Sequence, residues 1–415
     1  MRLTSLSTDG YILFGTRLVR MFAYGFLSVV LVLYLAQLGL SKSLIGLLLS
    51  LALVGDAALS LWMTTSADRF GRRRVLMIGA ALMLFAALLF ALTDRVVLLL
   101  IAAIIGVISP SGYEVGPFLP VEQAALSQIV ADERRTDVFG WYNLVGSFAT
   151  ATGALGGGLL SEFLQRVGML PLSSYRVVVI VYGAIGLLLV VLFSQLSSSV
   201  EAASADSALR WYHLGLNRSR GVVLKLSALF GLDAFAGGFV VQSLVAYWFH
   251  VRFGVNPAAL GGIFFGANIL AGISALASAR VAARIGLVNT MVFTHLPSNL
   301  LLMLVPLMPN LPLAILVLFI RFSISQMDVP PRQSYTMAVV AREERSAAAG
   351  VTGIARSIGA SISPSLAGVL LSNSMFLGAP FFVAGGLKVI YDLLLYRSFR
   401  TANRSKQELT ESQND

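Results

Sequence analysis

Three carboxylates, Asp56, Glu114 and Asp233, stand inside long apolar stretches of this 415-residue chain. At mid-bilayer an ionisable side chain costs at least about 2.5–3.5 kcal/mol, so each of the three is a functional candidate. Burial favours the neutral acid over the carboxylate, which suits a group that takes and releases protons near neutral pH. Ser60 and Thr64 share a helical face with Asp56 at i+4 and i+8, and Gly237 lies one turn beyond Asp233. Glu114 follows Tyr113 and is bracketed by Pro110, Gly112 and Pro117, a density of breakers that points to a helix interrupted where it lines a cavity. The plainer alternative for each is a fixed hydrogen bond or a static ion pair.

Cations are placed inside apolar stretches as well. Arg321, Ser325, Asp328 and Arg332 fall at i, i+4, i+7 and i+11, a polar stripe along one helix, and Thr352, Arg356 and Ser363 share another face. Arginine does not discharge, so inside a membrane it needs a carboxylate or an anionic solute as partner. One reading has Arg321, Asp328 or Arg356 touching solute. The other pairs Arg356 or Arg321 with Asp233, Glu114 or Asp328 as an interdomain lock. Arg17, Arg20 and Arg332 are expected at the cytoplasmic interface, and Lys388 and Asp392 near a helix end, paired or snorkelling. Gln242 and Asn268 are candidates for solute contact or for interhelical hydrogen bonds, and Tyr247 and Trp248 for the interfacial aromatic belt. No catalytic, metal or cofactor site is expected. The histidines, His213, His250 and His295, are scattered; the chain has no cysteine, no H-E-x-x-H and no G-x-x-x-x-G-K-[ST]. ATP-driven pumping and intramembrane catalysis are thereby disfavoured.

The elements that hold these residues follow from composition. Hydrophobic residues make up 57% of the chain and charged residues 12%, about half the charged share of a soluble domain. Mean hydropathy is +0.82. This is a polytopic membrane protein, all-α, since each span needs about 20 apolar residues. Apolar stretches near 13–38, 43–64, 75–93, 96–128, 138–162 and 176–195 predict six helices. Six more are predicted near 222–249, 257–280, 288–307, 312–338, 349–371 and 379–397. That organisation gives a six-helix bundle over 1–196, a serine- and charge-rich linker over 197–221, a second bundle over 222–398, and a disordered tail over 399–415. The first apolar segment is too long for a cleavable signal.

Arginines cluster after even-numbered spans, at Arg69, Arg72, Arg73 and Arg74, at Arg134 and Arg135, at Arg210, Arg218 and Arg220, at Arg284, and at Arg342 and Arg345. The positive-inside rule then places both termini in the cytoplasm. The net charge of +10 is accounted for by topology and anionic headgroups, so nucleic acid is not an expected partner. The two halves also echo one another. Pro120–Gln123, Ala131–Arg135 and Gly140 reappear 210 positions later as Pro330–Gln333, Ala341–Arg345 and Gly350, and Arg69-Phe-Gly71 reappears 215 positions later as Arg284-Ile-Gly286. Duplicated halves with a site between them are a transporter architecture.

Thr64-Thr-Ser-Ala-Asp-Arg-Phe-Gly-Arg-Arg-Arg-Val-Leu76 resembles the loop signature of the major facilitator superfamily, G-x-L-A-D-R-x-G-R-R-x-x-L, matching at Asp68, Arg69, Gly71, Arg72, Arg73 and Leu76. Thr64 and Ser66 depart from it. With the six-plus-six layout, the resemblance covers essentially the whole chain. It implies two pseudo-symmetric six-helix bundles and a cytoplasmic gate in which Asp68 sits near the start of the eleventh helix and helps hold an outward-open state. Arg69 or Arg72 is expected to pair with Glu122; alternatively, the arginines only enforce topology. Gly153-Ala-Leu-Gly-Gly-Gly158 resembles the family's antiporter signature with Ala154 for proline, and Gly153, Gly157 and Gly158 are expected to pack helices closely.

The sequence therefore predicts a monomeric secondary transporter of the cell membrane, similar to drug/proton antiporters. Its partners are a small organic or amphipathic solute, protons and membrane lipids. Proton-coupled import of an organic anion is the competing reading, and a non-transporting receptor a weaker one.

Overall fold

The computed structural model describes the backbone of residues 7–113, 118–130, 135–201, 218–341 and 344–411, and the side chains of all of these except 68, 135–137, 346 and 400–411. Glu114, the side chain of Asp68 and most of the linker lie outside the described residues. Within them the chain is helical: α1 (Thr8–Ser28), α2 (Leu31–Gln37), α3 (Lys42–Phe70), α4 (Arg72–Leu92), α5 (Val96–Ile105), α6 (Phe118–Ile129), α7 (Arg135–Arg166) and α8 (Pro171–Ser194). Then come α9 (Arg220–Gly238), α10 (Gln242–Phe253), α11 (Pro257–Ile285), α12 (Leu287–Leu304), α13 (Leu311–Phe322), α14 (Val329–Val339), α15 (Arg345–Ser372) and α16 (Ala379–Glu411). The last helix continues as backbone past 398, where the sequence places the start of a polar tail.

Among the described residues, nine helices or helix runs are long and apolar enough to cross a membrane, and the bent pair α1–α2 makes ten. The shorter apolar helices α5 and α13 complete the predicted twelve, each continued after a break, by α6 and α14 respectively. The first, fourth, seventh and tenth spans are thus all interrupted, one in each successive group of three. Each break has a local cause. In the first span Ser28 Oγ bonds back to the Gly25 carbonyl at 2.9 Å, a contact that bends helices, and α1 meets α2 at 41°. The fourth carries Gly106, Pro110 and Gly112, the seventh Gly237-Gly238, and the tenth Pro330-Pro331. The stripe Arg321–Arg332 consequently straddles a break, since α13 ends at Phe322 and α14 begins at Val329. It does not lie on one continuous helix.

Two hinges repeat as the sequence spacing foretold. Gly71 (φ 95°) joins α3 to α4 and Gly286 (φ 84°) joins α11 to α12, each as a single residue between helices. A side chain at either position would be strained.

The chain packs as two compact units. Unit 1 comprises residues 1–209, 241–269 and 364–372; unit 2 comprises 210–240, 270–363 and 373–415. In unit 1 the glycines of α7 allow backbone contact with α1. A Cβ on Gly153 would overlap the Phe22 carbonyl, one on Gly157 the Phe26 carbonyl, and one on Gly158 the Pro257 carbonyl of α11. Reciprocally, a Cβ on Gly25 would overlap the Thr150 carbonyl. Gly157→Leu is therefore expected to force α1 from α7 and cost about 1–3 kcal/mol or more by overpacking. Gly262→Ala, where nothing lies within 4 Å, is expected to be neutral or slightly stabilising. Thermal unfolding of the two variants in detergent checks the contrast; equal midpoints would remove the close-packing role. In unit 2, α12 packs on α16 around a core that includes Phe230, Met291, Tyr335, Tyr391 and Phe399.

Candidate functional site: two buried ionic networks

Within unit 1, Arg20 of α1 and Glu122 of α6 form a fully buried bidentate pair, Nη1–Oε1 and Nη2–Oε2 both at 2.6 Å. Tyr142 of α7 donates its hydroxyl to Glu122 Oε2, and Thr16 Oγ1 donates to Oε1 at 3.2 Å. The carboxylate therefore receives three full donors and a share of the Thr16 hydroxyl, whose one hydrogen also serves the Leu13 carbonyl at 3.0 Å, and the guanidinium lies 4.6 Å from the Phe118 ring centroid. Arg17, also buried, covers the Tyr142 ring at 4.8 Å. Such a pair holds three elements together, because neither ion has a low-energy existence without the other. It corrects two expectations. Arg17 and Arg20 are not at the interface, and the arginine paired with Glu122 is Arg20, not Arg69 or Arg72.

The charged loop between α3 and α4 instead engages the start of the linker. Glu201 accepts the backbone N–H of Arg72 at 2.6 Å and of Arg73 at 3.3 Å, placing a carboxylate on the N-terminus of α4. Arg72 Nη1 donates to Gln128 Oε1 at 2.7 Å and to the Val200 carbonyl at 3.1 Å, while Arg73 Nη1 reaches the Leu196 carbonyl at 3.2 Å. A cavity of about 720 Å³ lies here, lined by Arg69, Arg73, Arg74, Ser197 and Glu201 among others.

Unit 2 holds the denser network, centred on Asp233 of α9. Lys388 Nζ of α16 donates to its Oδ1. Arg332 Nη1 of α14 and Arg356 Nη1 of α15 donate to Oδ2 at 3.0 and 3.4 Å. Asp328, immediately before α14, pairs with Arg332 at 3.2 Å. His295 of α12 presents Nε2 to Asp233 Oδ1 at 3.8 Å and Nδ1 to Asp392 Oδ1 of α16 at 2.8 Å, and Asn299 Nδ2 donates to Asp392 Oδ2 at 2.9 Å. Five helices converge on this cluster. Three carboxylates balance two arginines and one lysine in formal charge, with the imidazole set between two of the acids, which is how so many ionisable groups share one apolar interior.

Arg356 pairs with Asp233, but both residues belong to unit 2, so the pair is not the interdomain lock of the sequence reading; the Arg356 side chain is 37% exposed against 6% for Asp233. Arg332 is not interfacial, and Lys388 and Asp392 are buried within the network, not at a snorkelling end. His295 and Asn299 were missed altogether. The available signal was spacing: His295/Asn299 and Lys388/Asp392 are each i, i+4 pairs inside apolar helices.

The remaining candidates are dispersed. Asp56 is half-buried on α3 and belongs to unit 1, apart from the Asp233 network. Arg321 is half-buried at the end of α13, with its guanidinium 4.8 Å from the Phe322 ring centroid. Gln242 and Asn268 make interhelical hydrogen bonds: Gln242 Nε2 donates to Ser28 Oγ at 2.8 Å, and Asn268 Nδ2 to Gln242 Oε1 at 3.2 Å. Tyr247 and Trp248 are buried, which corrects their placement in an exposed aromatic belt. Among the described residues no cluster of histidine and acidic side chains could hold a metal ion.

The repeat relates the two networks. The Pro120–Gln123 and Pro330–Gln333 segments align Glu122 with Arg332, 210 positions on, and Arg20 of the first span lies 213 positions before Asp233 of the seventh. Each half therefore carries one ion pair between its first and fourth spans. The polarity is reversed.

Comparison with known proteins agrees with this architecture. An uncharacterized membrane protein of Saccharomyces cerevisiae is 29% identical over 424 aligned residues, covering 94% of this chain and 93% of the relative. A Na(+), Li(+), K(+)/H(+) antiporter of Planococcus maritimus is 31% identical over 119 residues, 29% of this chain and 28% of its own. The fold is shared with a crystal structure of a D-xylose–proton symporter (TM-score 0.72, 16% identity, 93% of this chain and 97% of that one). It is also shared with a bacterial homologue of the human lysosomal transporter Spinster, in an inward-facing form (TM-score 0.66, 16% identity, 94% and 95%). A family model described as Major Facilitator Superfamily matches residues 13–364, most of the chain, and the chain belongs to this superfamily, a multi-pass membrane protein and secondary transporter.

Proposed function

We propose that this transporter couples proton movement to the export of a small organic or amphipathic solute across the cell membrane. The observation that carries the reading is the Asp233 network: a carboxylate, a second acid and an imidazole are held in contact across five helices of unit 2. Ionisable groups at this depth are costly and are characteristic of proton pathways. Exchange against protons is the direction supported by the short similarity to a cation/proton antiporter. Two six-helix halves over 1–196 and 222–398, with both termini cytoplasmic and the arginine-rich loops against anionic headgroups, complete the arrangement, and the transporter acts as a monomer.

One feature favours a second reading, import of an organic anion: Arg356 is the most exposed and most loosely held cation of the network. Reconstitution into proteoliposomes with an imposed pH gradient and a panel of cationic, neutral and anionic solutes separates the two. Export by exchange predicts that solute addition dissipates the gradient with solute and proton moving oppositely; co-transport of an anion predicts movement in the same direction. Solute flux indifferent to the gradient would remove proton coupling from both.

A further inference from the structure

Resting on the proton-coupled reading, the geometry points to His295 as the group that takes up the proton, with Arg356 as the contact that protonation loosens. With Asp392 charged, Nδ1 at 2.8 Å is assigned the ring hydrogen and donates to it; Asn299 Nδ2, 3.1 Å from the same nitrogen, then spends its own hydrogen on Asp392 Oδ2 at 2.9 Å. In a neutral ring Nε2 is then a bare acceptor. It faces Asp233 Oδ1 at 3.8 Å, an oxygen that is also an acceptor. No hydrogen joins the two, and a proton added at Nε2 supplies one. Histidine is the side-chain type most used to exchange a proton under physiological conditions.

Among the described residues, the charged and polar groups around the ring are these. Asp233 comes from α9, Arg332 with Asp328 from α14 and its N-terminal flank, Arg356 from α15, and Lys388, Asp392 and Tyr391 from α16; Arg321 is the one charged residue of α13, and Asn299 lies one turn along α12 itself. With a neutral imidazole the cluster is balanced; with a protonated one it holds one positive charge in excess. His295 Nε2–H then competes for Oδ1 with Lys388, and the excess is relieved at the weakest cation contact. That contact is Arg356 to Oδ2, the longest of the three donor bonds to Asp233 and the one whose cation is most open to its surroundings. Arg332 cannot be the one to leave, because Asp328 holds it from the other side at 3.2 Å. Protonation on α12 is thereby converted into a freed cation on α15.

The test uses the full chain in nanodiscs with protons as the probe. Only three histidines occur in the sequence, so nitrogen-15 labelled histidine resolves each ring, and His295→Gln assigns its signals. The expected result is a sigmoidal shift of the His295 ring with a midpoint between pH 5 and 8, accompanied at the same midpoint by a change in the Arg356 side-chain signal that is absent in His295→Gln. Should the glutamine variant not fold, Arg356→Gln supplies the assignment of the second signal in an otherwise intact network. A ring that holds one protonation state throughout that range overturns the inference, as does an Arg356 signal that ignores the transition. If both signals move together but no solute of the panel exchanges with protons, the switch stands and the proton-coupled reading fails.

Discussion

Arg20→Met is expected to lower the yield of folded, monodisperse protein severely, whereas Arg20→Met combined with Glu122→Met and Tyr142→Phe is expected to recover it. The single change leaves Glu122 fully buried with both of its Arg20 donors gone, and breaking a buried pair from one side costs about 3–5 kcal/mol. Removing both ions eliminates the desolvation that made the pair necessary, and apolar replacement of a whole buried pair is often neutral or stabilising. Tyr142 decides between a double and a triple variant. Its hydroxyl donates to Glu122, so Arg20→Met with Glu122→Met leaves that group unpaired, at about 1–3 kcal/mol. Thr16 makes a smaller demand because its hydroxyl already bonds the Leu13 carbonyl at 3.0 Å. Thermal midpoints in detergent for the four proteins form the measurement. An Arg20→Met variant as stable as the parent would show that the pair carries no structural weight, and a triple variant that unfolds with the single one would assign the loss to packing around Phe118. Transport by a recovered triple variant is expected to persist, since among the described residues the donors to Glu122 come from the pair's own surroundings.

The spans were legible because apolar length is a one-dimensional property. Twelve stretches carry the signal, and the helices fall on them, four of them interrupted and the last running on to Glu411. The hinges were legible for a similar reason: Arg69-Phe-Gly71 and Arg284-Ile-Gly286 mark places where only glycine takes the required positive φ. Depth within a span was not legible. A long cation near the end of an apolar stretch reads equally as a snorkelling side chain or as one turned inward, and composition does not separate the two. Arg20, Arg332 and Lys388 were all read outward and all turn inward. His295 was overlooked because a lone histidine has no pattern of its own. Its partner Asp392 lies 97 positions away, and only helix packing brings α12 and α16 together.

The reversed polarity of the two networks explains why the halves differ chemically despite their common plan. In unit 1 one arginine meets one glutamate, and the surroundings are aromatic: Tyr24, Phe118 and Tyr142. That pair is saturated and closed. In unit 2 the acid is on the first span of the half and the arginine on the fourth, and the helices that flank them add Arg356, Lys388, His295 and Asp392. A single aspartate there faces three cations and an imidazole, so its contacts are in competition. Competition is what a switch requires, since a change of one proton redistributes bonds that already exist.

Asp233→Asn is accordingly expected to abolish gradient-driven transport and to destabilise the protein by about 3–5 kcal/mol, the range for an uncompensated buried charge. The neutral amide leaves Lys388, Arg332 and Arg356 against Asp328 and Asp392 only, one positive charge too many in a buried cluster. Lys388→Met should be far milder, because Asp233 keeps Arg332 at 3.0 Å and Arg356 at 3.4 Å. Joined to Asp233→Asn, it restores the charge count and is expected to return a large part of the lost stability while transport remains absent. That separation is the informative one: stability follows net charge, whereas coupling follows the carboxylate itself. Thermal midpoints and proteoliposome flux on the two single variants and the double variant read both quantities. If Asp233→Asn keeps full gradient-driven flux, Asp233 is not part of the coupling site. If the double variant is no more stable than Asp233→Asn alone, charge balance is not what holds the five helices together.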